Sequence, residues 1–307
     1  MRIVFMGTPS FAVNSLEALY NAGHEIVGVF TQPDKPQGRK MVLTAPPVKE
    51  FARLHGLKVY QPNSVKTDEA FDILQELKPD IIVVVAYGKL LPERILNLAQ
   101  YGCVNGHASI LPRHRGASPI QWSIYCGDKV TGVTTMKMDI GMDTGDMLLC
   151  DTTDILPNDN FETLHDRLAQ IGADLMVKTL KGLEEGTITP EKQPEDNVSY
   201  APIIKKEMGQ LDFSKSASKV DCHIRAFTPW PSAFFFLNDK RVKVISAVVG
   251  ENTVKEPGMV IGTKDGITVA CGEGTSIVLK ELQIEGKSKM TAKDFLNGYN
   301  LPIGTVL

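Results

Sequence analysis

The run VNGHASILPRHRGASPI (104–120) puts an amide, Asn105, two positions before an imidazole, His107, and follows them with Ser109 and a Leu111-Pro112 turn. In an extended strand, residues two apart project to the same side. The pair would then stand together at the carboxyl end of a strand, where open α/β sheets form their ligand crevices. An amide N–H donates to a developing oxyanion, and an imidazole moves a proton near neutral pH. These are the parts for acyl transfer without a covalent nucleophile. A strand-end Asn and His serve equally often as structural hydrogen-bonding groups, so spacing alone leaves both readings open.

A carboxylate would complete the set. TGVTTMKMDIGMDTGDMLL (131–149) reads as a strand, a glycine-rich loop and a returning strand, with Asp139, Asp143 and Asp146 in or beside the loop. One of them arriving at His107 would fix its tautomer and stabilise its imidazolium. The same pattern fits an Asx-turn loop with solvated carboxylates, and position does not choose among the three.

The elements around these residues alternate short β-branched runs with helical patterns, the mark of a parallel sheet with crossover helices. The predicted strands are 2–6, 25–31, 58–61, 80–86 and 102–107, and DIIVVVA (80–86) is apolar at nearly every position, as a central strand covered on both faces must be. The first crossover helix follows GTPSF, with Thr8 placed to cap it, Pro9 in its first turn and Gly23 at its end. That loop lacks the three glycines with which a Rossmann turn admits a pyrophosphate, which argues against NAD or ATP. A long helix is predicted over 161–184 through Phe161, Leu164, Leu168, Ile171, Leu175, Leu180 and Leu183.

Past Gly186 the chain turns polar and proline-containing, and 189–204 reads as a linker between a first domain, 1–188, and a second, 205–307. In the second, RVKVISAVVG, GMVIGTK, GITVACG and TSIVLKELQ are short strands parted by glycine turns, the pattern of a small, mostly β barrel. The fold class expected is therefore α/β: a Rossmann-like, mostly parallel N-terminal sheet and a smaller C-terminal β-barrel of OB-like type.

Length, at 307 residues, suits two domains, and 43% apolar with 22% charged residues suits a soluble globular chain. No apolar run approaches a membrane span, and the start MRIVFMGT lacks the basic and apolar regions of a signal peptide. Five cysteines, odd in number and without a C-x-x-C pair, point to reduced thiols, a cytoplasmic protein and no zinc site. The histidines show no metal-ligand spacing, so no metal is expected. Net charge is −3, but residues 205–307 hold 14 basic against 11 acidic side chains, +3, leaving −6 for the rest. A polyanionic partner for the C-terminal part is compatible with that asymmetry, as is ordinary surface variation.

N-x-H, then S-x-LP, then D-x-G-x-DTGDM resembles the folate-dependent formyltransferases. The likeness runs the whole length, through MGTPSFA (6–12), FTQPDKPQGRK (30–40), PPVKEFA (46–52), VVVAYGKLLP (83–92), HASILPRHRGASPIQ (107–121) and RAFTPWP (225–231). It is nearest to the branch that acts on methionyl-tRNA. The resemblance implies Asn105, His107 and Asp143 as the catalytic trio, Asp143 being the first aspartate of D-T-G-D. It implies a folate pocket from Ser109, Ile110, Leu111 and Pro112, from Tyr87 and Gly88, and from Ile140, Gly141 and Met142. Two departures are conservative: Ile110 stands where leucine is common and Ala108 where glycine is common.

The loop QPDKPQGRKMVLTAPPVK (32–49) sets Lys35, Arg39, Lys40 and Lys49 against Asp34 and is too rich in proline and glycine for a helix. By resemblance it enters the acceptor end of the tRNA, with Lys35, Arg39 and Lys40 as phosphate contacts and Lys205 and Lys206 as further ones. The implied reaction transfers the formyl group of 10-formyltetrahydrofolate, a co-substrate, to the α-amino group of initiator methionyl-tRNA, in a monomeric cytoplasmic enzyme without metal. A formyltransferase acting on an amino-sugar nucleotide and a tRNA-binding module without chemistry are the other two classes.

Overall fold

The computed structural model describes residues 1–38 and 41–307, and its chain separates into two compact units. The first holds 1–119, 130–154 and 165–201; the second holds 120–129, 155–164 and 202–307. The expected domains were contiguous. Residues 189–201, predicted as linker, instead belong to the first unit, because their backbone pairs with its strands and turns: Glu191 bridges Met147, and Tyr200 bridges Arg115.

In chain order the elements of the first half are β1 (Arg2–Gly7), α1 (Ser10–Asn21), β2 (Glu25–Phe30), β3 (Lys35–Gln37), β4 (Val42–Thr44), α2 (Pro47–Leu54), β5 (Val59–Tyr60), α3 (Asp68–Leu77), β6 (Ile81–Val85), α4 (Glu93–Leu96), β7 (Cys103–His107), α5 (Pro119–Cys126), β8 (Val130–Lys137), β9 (Met147–Asp154) and α6 (Phe161–Glu185). Seven strands form one sheet in the order β5-β2-β1-β6-β7-β8-β9. Pairing is parallel from β5 to β7 and antiparallel from β7 to β9. All five residues of β6 are buried, as the uninterrupted apolar run requires of a central strand. The order reverses beside β1, where connections leave in opposite directions and the carboxyl ends of neighbouring strands open into a crevice.

Two local expectations are corrected. Thr8 does not cap α1; the N-cap is Pro9, without a side-chain hydrogen bond, and the Thr8 hydroxyl donates to the Tyr87 carbonyl at 3.2 Å. The loop 32–49, read as too rich in proline and glycine for a helix, admits the start of α2 at Pro47, and ahead of it β3 and β4 pair as a short antiparallel ladder. Where capping does operate, it is measurable. Thr67 accepts from the Ala70 amide at 3.3 Å at the start of α3. Thr67→Ala is expected to cost about 1 kcal/mol in a denaturant titration, while activity is retained.

The second unit contains α7 (Ala217–Phe227), β10 (Ala233–Leu237), β11 (Lys240–Val249), β12 (Val260–Gly262), β13 (Ile267–Cys271), β14 (Thr275–Ile284), β15 (Met290–Thr291) and α8 (Ala292–Gly298). Its six strands are antiparallel in the order β10-β11-β14-β13-β12, with β15 on β14. The core joins Phe213, Val220, Ile224, Phe235, Val244, Leu279 and Phe295, among others. Alternation explains it: Phe235 and Val242 face this core while Phe236, next along β10, is half exposed. Strand β10 and helices α7 and α8 were not read from the sequence. All five cysteines are free, and among the described residues no helix is long and apolar enough to cross a membrane.

Candidate active site

Strand β7 delivers Asn105 and His107 to one side of the sheet. Gly106, between them, faces the other way: a Cβ built there would meet the Met176 methyl of α6 at 3.3 Å. That face is covered by α6, so its neighbours point away from the helix. The loop between β8 and β9 then brings Asp143, which has a left-handed backbone (φ 54°). Asn105 Nδ2 lies 3.5 Å from Asp143 Oδ1, and His107 Nδ1 lies 3.6 Å from Asp143 Oδ2. The Gly116 amide donates to Oδ2 at 2.8 Å, which holds the carboxylate in place as an acceptor.

Of the three candidate aspartates, only Asp143 reaches the pair. Asp139 folds back on its own loop, accepting from the Gly141 amide at 3.0 Å and the Thr144 hydroxyl at 2.7 Å, the Asx arrangement open from the sequence. Asp146 uses its carbonyl to accept from the Lys137 amide at 2.8 Å.

The partner that sets the histidine tautomer is a different one from that expected. His107 Nε2 lies 2.9 Å from the His114 carbonyl, which only accepts, so Nε2 carries the hydrogen. A neutral ring therefore presents the lone pair of Nδ1 toward Asp143. At 3.6 Å that contact becomes attractive once Nδ1 takes a proton. His107 is buried, 6% exposed, with Asp143 at its edge.

The expected folate residues divide into two groups. Ser109, Leu111 and Pro112 are buried in the turn after β7. The Ser109 hydroxyl donates to the Arg113 carbonyl at 2.6 Å, and Thr134 Oγ1 donates to the Ser109 carbonyl at 2.7 Å while accepting from the Leu111 amide at 3.2 Å. The Leu111-Pro112 peptide is cis. Tyr87 is 1% exposed in the apolar core, with its phenol pushed up to about 12 by burial, so its side chain lines no open wall. Its carbonyl accepts from Thr8 and from Gln32 Nε2, and Gly88 follows at φ 77°. These residues shape the surroundings from behind. The second group is accessible: Ile110 is half-buried, Gly141 exposed, and Ile140 and Met142 are 80% and 56% exposed, flanking Asp143 with apolar surface.

Gln193 lies in the stretch read as linker, and sequence reasoning missed it. Its amide nitrogen donates to the carbonyls of Asp143 and Gly145, both at 2.8 Å, and its oxygen accepts from Arg115 Nε and Nη2 at 3.0 and 2.6 Å. Gly116 and the His114 carbonyl were missed as well, since they act through backbone atoms that every residue possesses.

The basic residues are placed as follows. Lys35 is exposed and donates to Gln32 Oε1 at 2.7 Å. It lines a cleft of about 310 Å³ together with Thr8, Pro9, Ser10, Gln32, Pro33, Thr44, Pro46 and Pro47, at the carboxyl ends of β1 and β2. Burial, then the nearby Lys35 charge, lowers the pKa of Lys89. Lys49 is taken up by Asp34 at 2.7 Å, and hydrogen bonds from Gln61 and then Lys49 hold the Asp34 carboxyl below its ordinary range. Arg39 and Lys40 fall outside the described residues. Lys205 and Lys206 are exposed at a 3-10 turn, Lys206–Gly209, whose Met208 carbonyl lies 2.8 Å from His223 Nε2. Among the described residues no cluster of three or more His, Cys, Asp or Glu could hold a metal ion.

Comparison with known proteins identifies the family of the chain. The formyl transferase family matches residues 1–180, and the formyl transferase C-terminal domain matches 203–300. A methionyl-tRNA formyltransferase of Caldanaerobacter subterraneus subsp. tengcongensis is 50% identical over 309 residues, all of both chains. One of Citrifermentans bemidjiense is 47% identical over 308 residues, all of this chain and 96% of that one. In fold, the chain is similar to an N-formyltransferase from Helicobacter canadensis solved with folinic acid and dTDP-3-aminofucose, at 20% identity and a TM-score of 0.71, covering 90% of this chain and 98% of that. Full-length identity of this order, over both matched domains, decides the membership: the chain belongs to the methionyl-tRNA formyltransferase family of formyl transferases.

Proposed function

We propose that the chain transfers the formyl group of 10-formyltetrahydrofolate to the α-amino group of initiator methionyl-tRNA, giving N-formylmethionyl-tRNA and tetrahydrofolate. The observation that carries this reading is the convergence of Asn105 and His107 on the two oxygens of Asp143. The names of the full-length relatives supply the acceptor. The accessible apolar residues Ile110, Ile140 and Met142, with Gly141, fit the flat ring of a folate beside the trio.

The reaction exchanges one bond from the formyl carbon to nitrogen for another, through a tetrahedral stage bearing an oxyanion. Asn105 Nδ2 has two hydrogens, and the one not turned to Asp143 donates to that oxyanion. His107 receives the proton of the attacking amine on Nδ1, because Nε2 is engaged with the His114 carbonyl, and passes it to the departing folate nitrogen. Asp143 faces Nδ1 and stabilises the transient imidazolium, while Gly116 keeps its carboxylate oriented.

Lys35, Lys205 and Lys206 meet phosphates of the tRNA, as do Arg39 and Lys40. Lys206→Ala and Lys35→Ala are each expected to lower kcat/KM for charged tRNA several-fold at low salt. The slope of log kcat/KM against log salt should become shallower by about 1 per variant, with KM for the formyl donor unchanged. An unchanged slope removes that lysine from the interface.

The deciding experiment supplies labelled 10-formyltetrahydrofolate with either charged initiator tRNA or an amino-sugar nucleotide. Label on the aminoacyl group of the tRNA supports the reading. Label only in the sugar transfers the site to the other acceptor class, and label in neither removes the enzymatic reading.

A further inference from the structure

The stretch 191–201 is bonded to the backbone of both residues that face the His107 ring, Asp143 and His114. At one end, Glu191 and Met147 exchange two backbone hydrogen bonds of 2.7 and 2.9 Å beside the loop that carries Asp143. At the other, Ser199 Oγ accepts from the His114 amide at 2.9 Å, and the Ala201 amide donates to the Arg115 carbonyl at 2.7 Å. Between these anchors Gln193 enters the loop itself.

The orientation of the Gln193 amide is determined by its neighbours. A guanidinium only donates, so Arg115 claims the oxygen through two hydrogen bonds. The nitrogen is thereby turned to the Asp143 and Gly145 carbonyls, which only accept. Reversing the amide would set oxygen against two carbonyl oxygens and nitrogen against a cation. The two carbonyls gathered on one NH2 belong to the turn in which Asp143 takes a left-handed conformation (φ 54°), a sparsely populated state for a residue with a Cβ. That turn aims the carboxylate at His107 Nδ1.

We infer that Gln193, oriented by Arg115, is a positioning residue for formyl transfer: it holds the Asp143 turn so that the carboxylate stands against His107. This rests on the role given to Asp143 above. The Gln193 side-chain amide is engaged by protein atoms in four hydrogen bonds, so its effect falls on the chemical step and not on substrate affinity.

Two variants test this. Gln193→Glu keeps the size and the Arg115 partner but presents oxygen to both carbonyls; Gln193→Leu removes every hydrogen bond. Both are expected to lower kcat about 10-fold or more, with KM for donor and for charged tRNA within about twofold of wild type. Gln193→Glu is expected to stay folded and to melt above Gln193→Leu, since the tether to Arg115 survives although both carbonyls lose their donor. If Gln193→Glu retains wild-type kcat, the residue is only a tether and the inference falls. Loss of folding in both variants, or a rise in KM matching the fall in kcat, overturns it too. A wild-type chain that transfers no formyl group removes the proposed function and this inference together; wild-type turnover beside an unimpaired Gln193→Glu removes the inference alone.

Discussion

His107→Ala is expected to lower kcat for formylation by about 10²- to 10⁴-fold, the range in which a positioned acid–base group contributes. The imidazole of His107 is the side-chain type suited to accept and release a proton near neutral pH. Its Nε2 is committed to the His114 carbonyl, so Nδ1 is the working edge, and Asp143 is the charge that awaits a proton there. Alanine removes the relay and leaves the other parts standing. The fold should survive: the ring is buried, but it makes one hydrogen bond, whose loss costs on the order of 1–3 kcal/mol. Single-turnover formylation with enzyme in excess, beside a thermal melt, checks both halves. Turnover within about threefold of wild type would remove His107 from the proton path.

Asn105→Ala is expected to lower kcat by about 10²- to 10³-fold, with little change in either KM. The amide acts on charge that exists only at the tetrahedral stage, so its removal weakens binding of the transition state more than that of the substrates. Its ground-state contact with Asp143 is long, 3.5 Å, and the residue is only half-buried, so stability should hardly move. Asn105→Asp, nearly isosteric, would replace the donor with a charge and should be at least as impaired. The result that would defeat this role is a KM effect without a kcat effect, which would make Asn105 a substrate contact. Steady-state kinetics in both substrates separates the two.

The parallel half of the sheet was legible because its physics is local. Apolar strands covered on both faces must be continuous β-branched runs, and β6 is one. Period-two alternation also placed Asn105 and His107 on one side of β7 without knowledge of what lay opposite. The hairpin of β3 and β4 was hidden by proline and glycine content, although a two-stranded ladder of three residues tolerates both at its turn and edge. Strand β10 was obscured because FFF carries no alternation of residue type; only the packed sheet separates core-facing Phe235 from half-exposed Phe236.

The choice of Asp143 belongs on both sides of this division. Residue type offered three carboxylates; family resemblance preferred one; the fold shows why Asp139 cannot serve, being consumed by its own Asx turn. The stretch 189–201 shows the same division. Polar, proline-containing sequence is what an exposed connection and a strap stapled by backbone hydrogen bonds have in common, since such bonds require no particular side chain.

By itself, then, the order of residues determined which groups could do chemistry, that two of them share a strand face, and the alternation of strands and helices that carries them, because each follows from side-chain type and a short repeat. Tertiary structure alone decided the tautomer of His107 through the His114 carbonyl, the anchoring of Asp143 by Gly116, and the brace from Gln193. Each of the three joins a side chain to a main-chain atom, two of them across 27 and 50 residues, and neither a main-chain partner nor such a separation leaves a mark on local sequence.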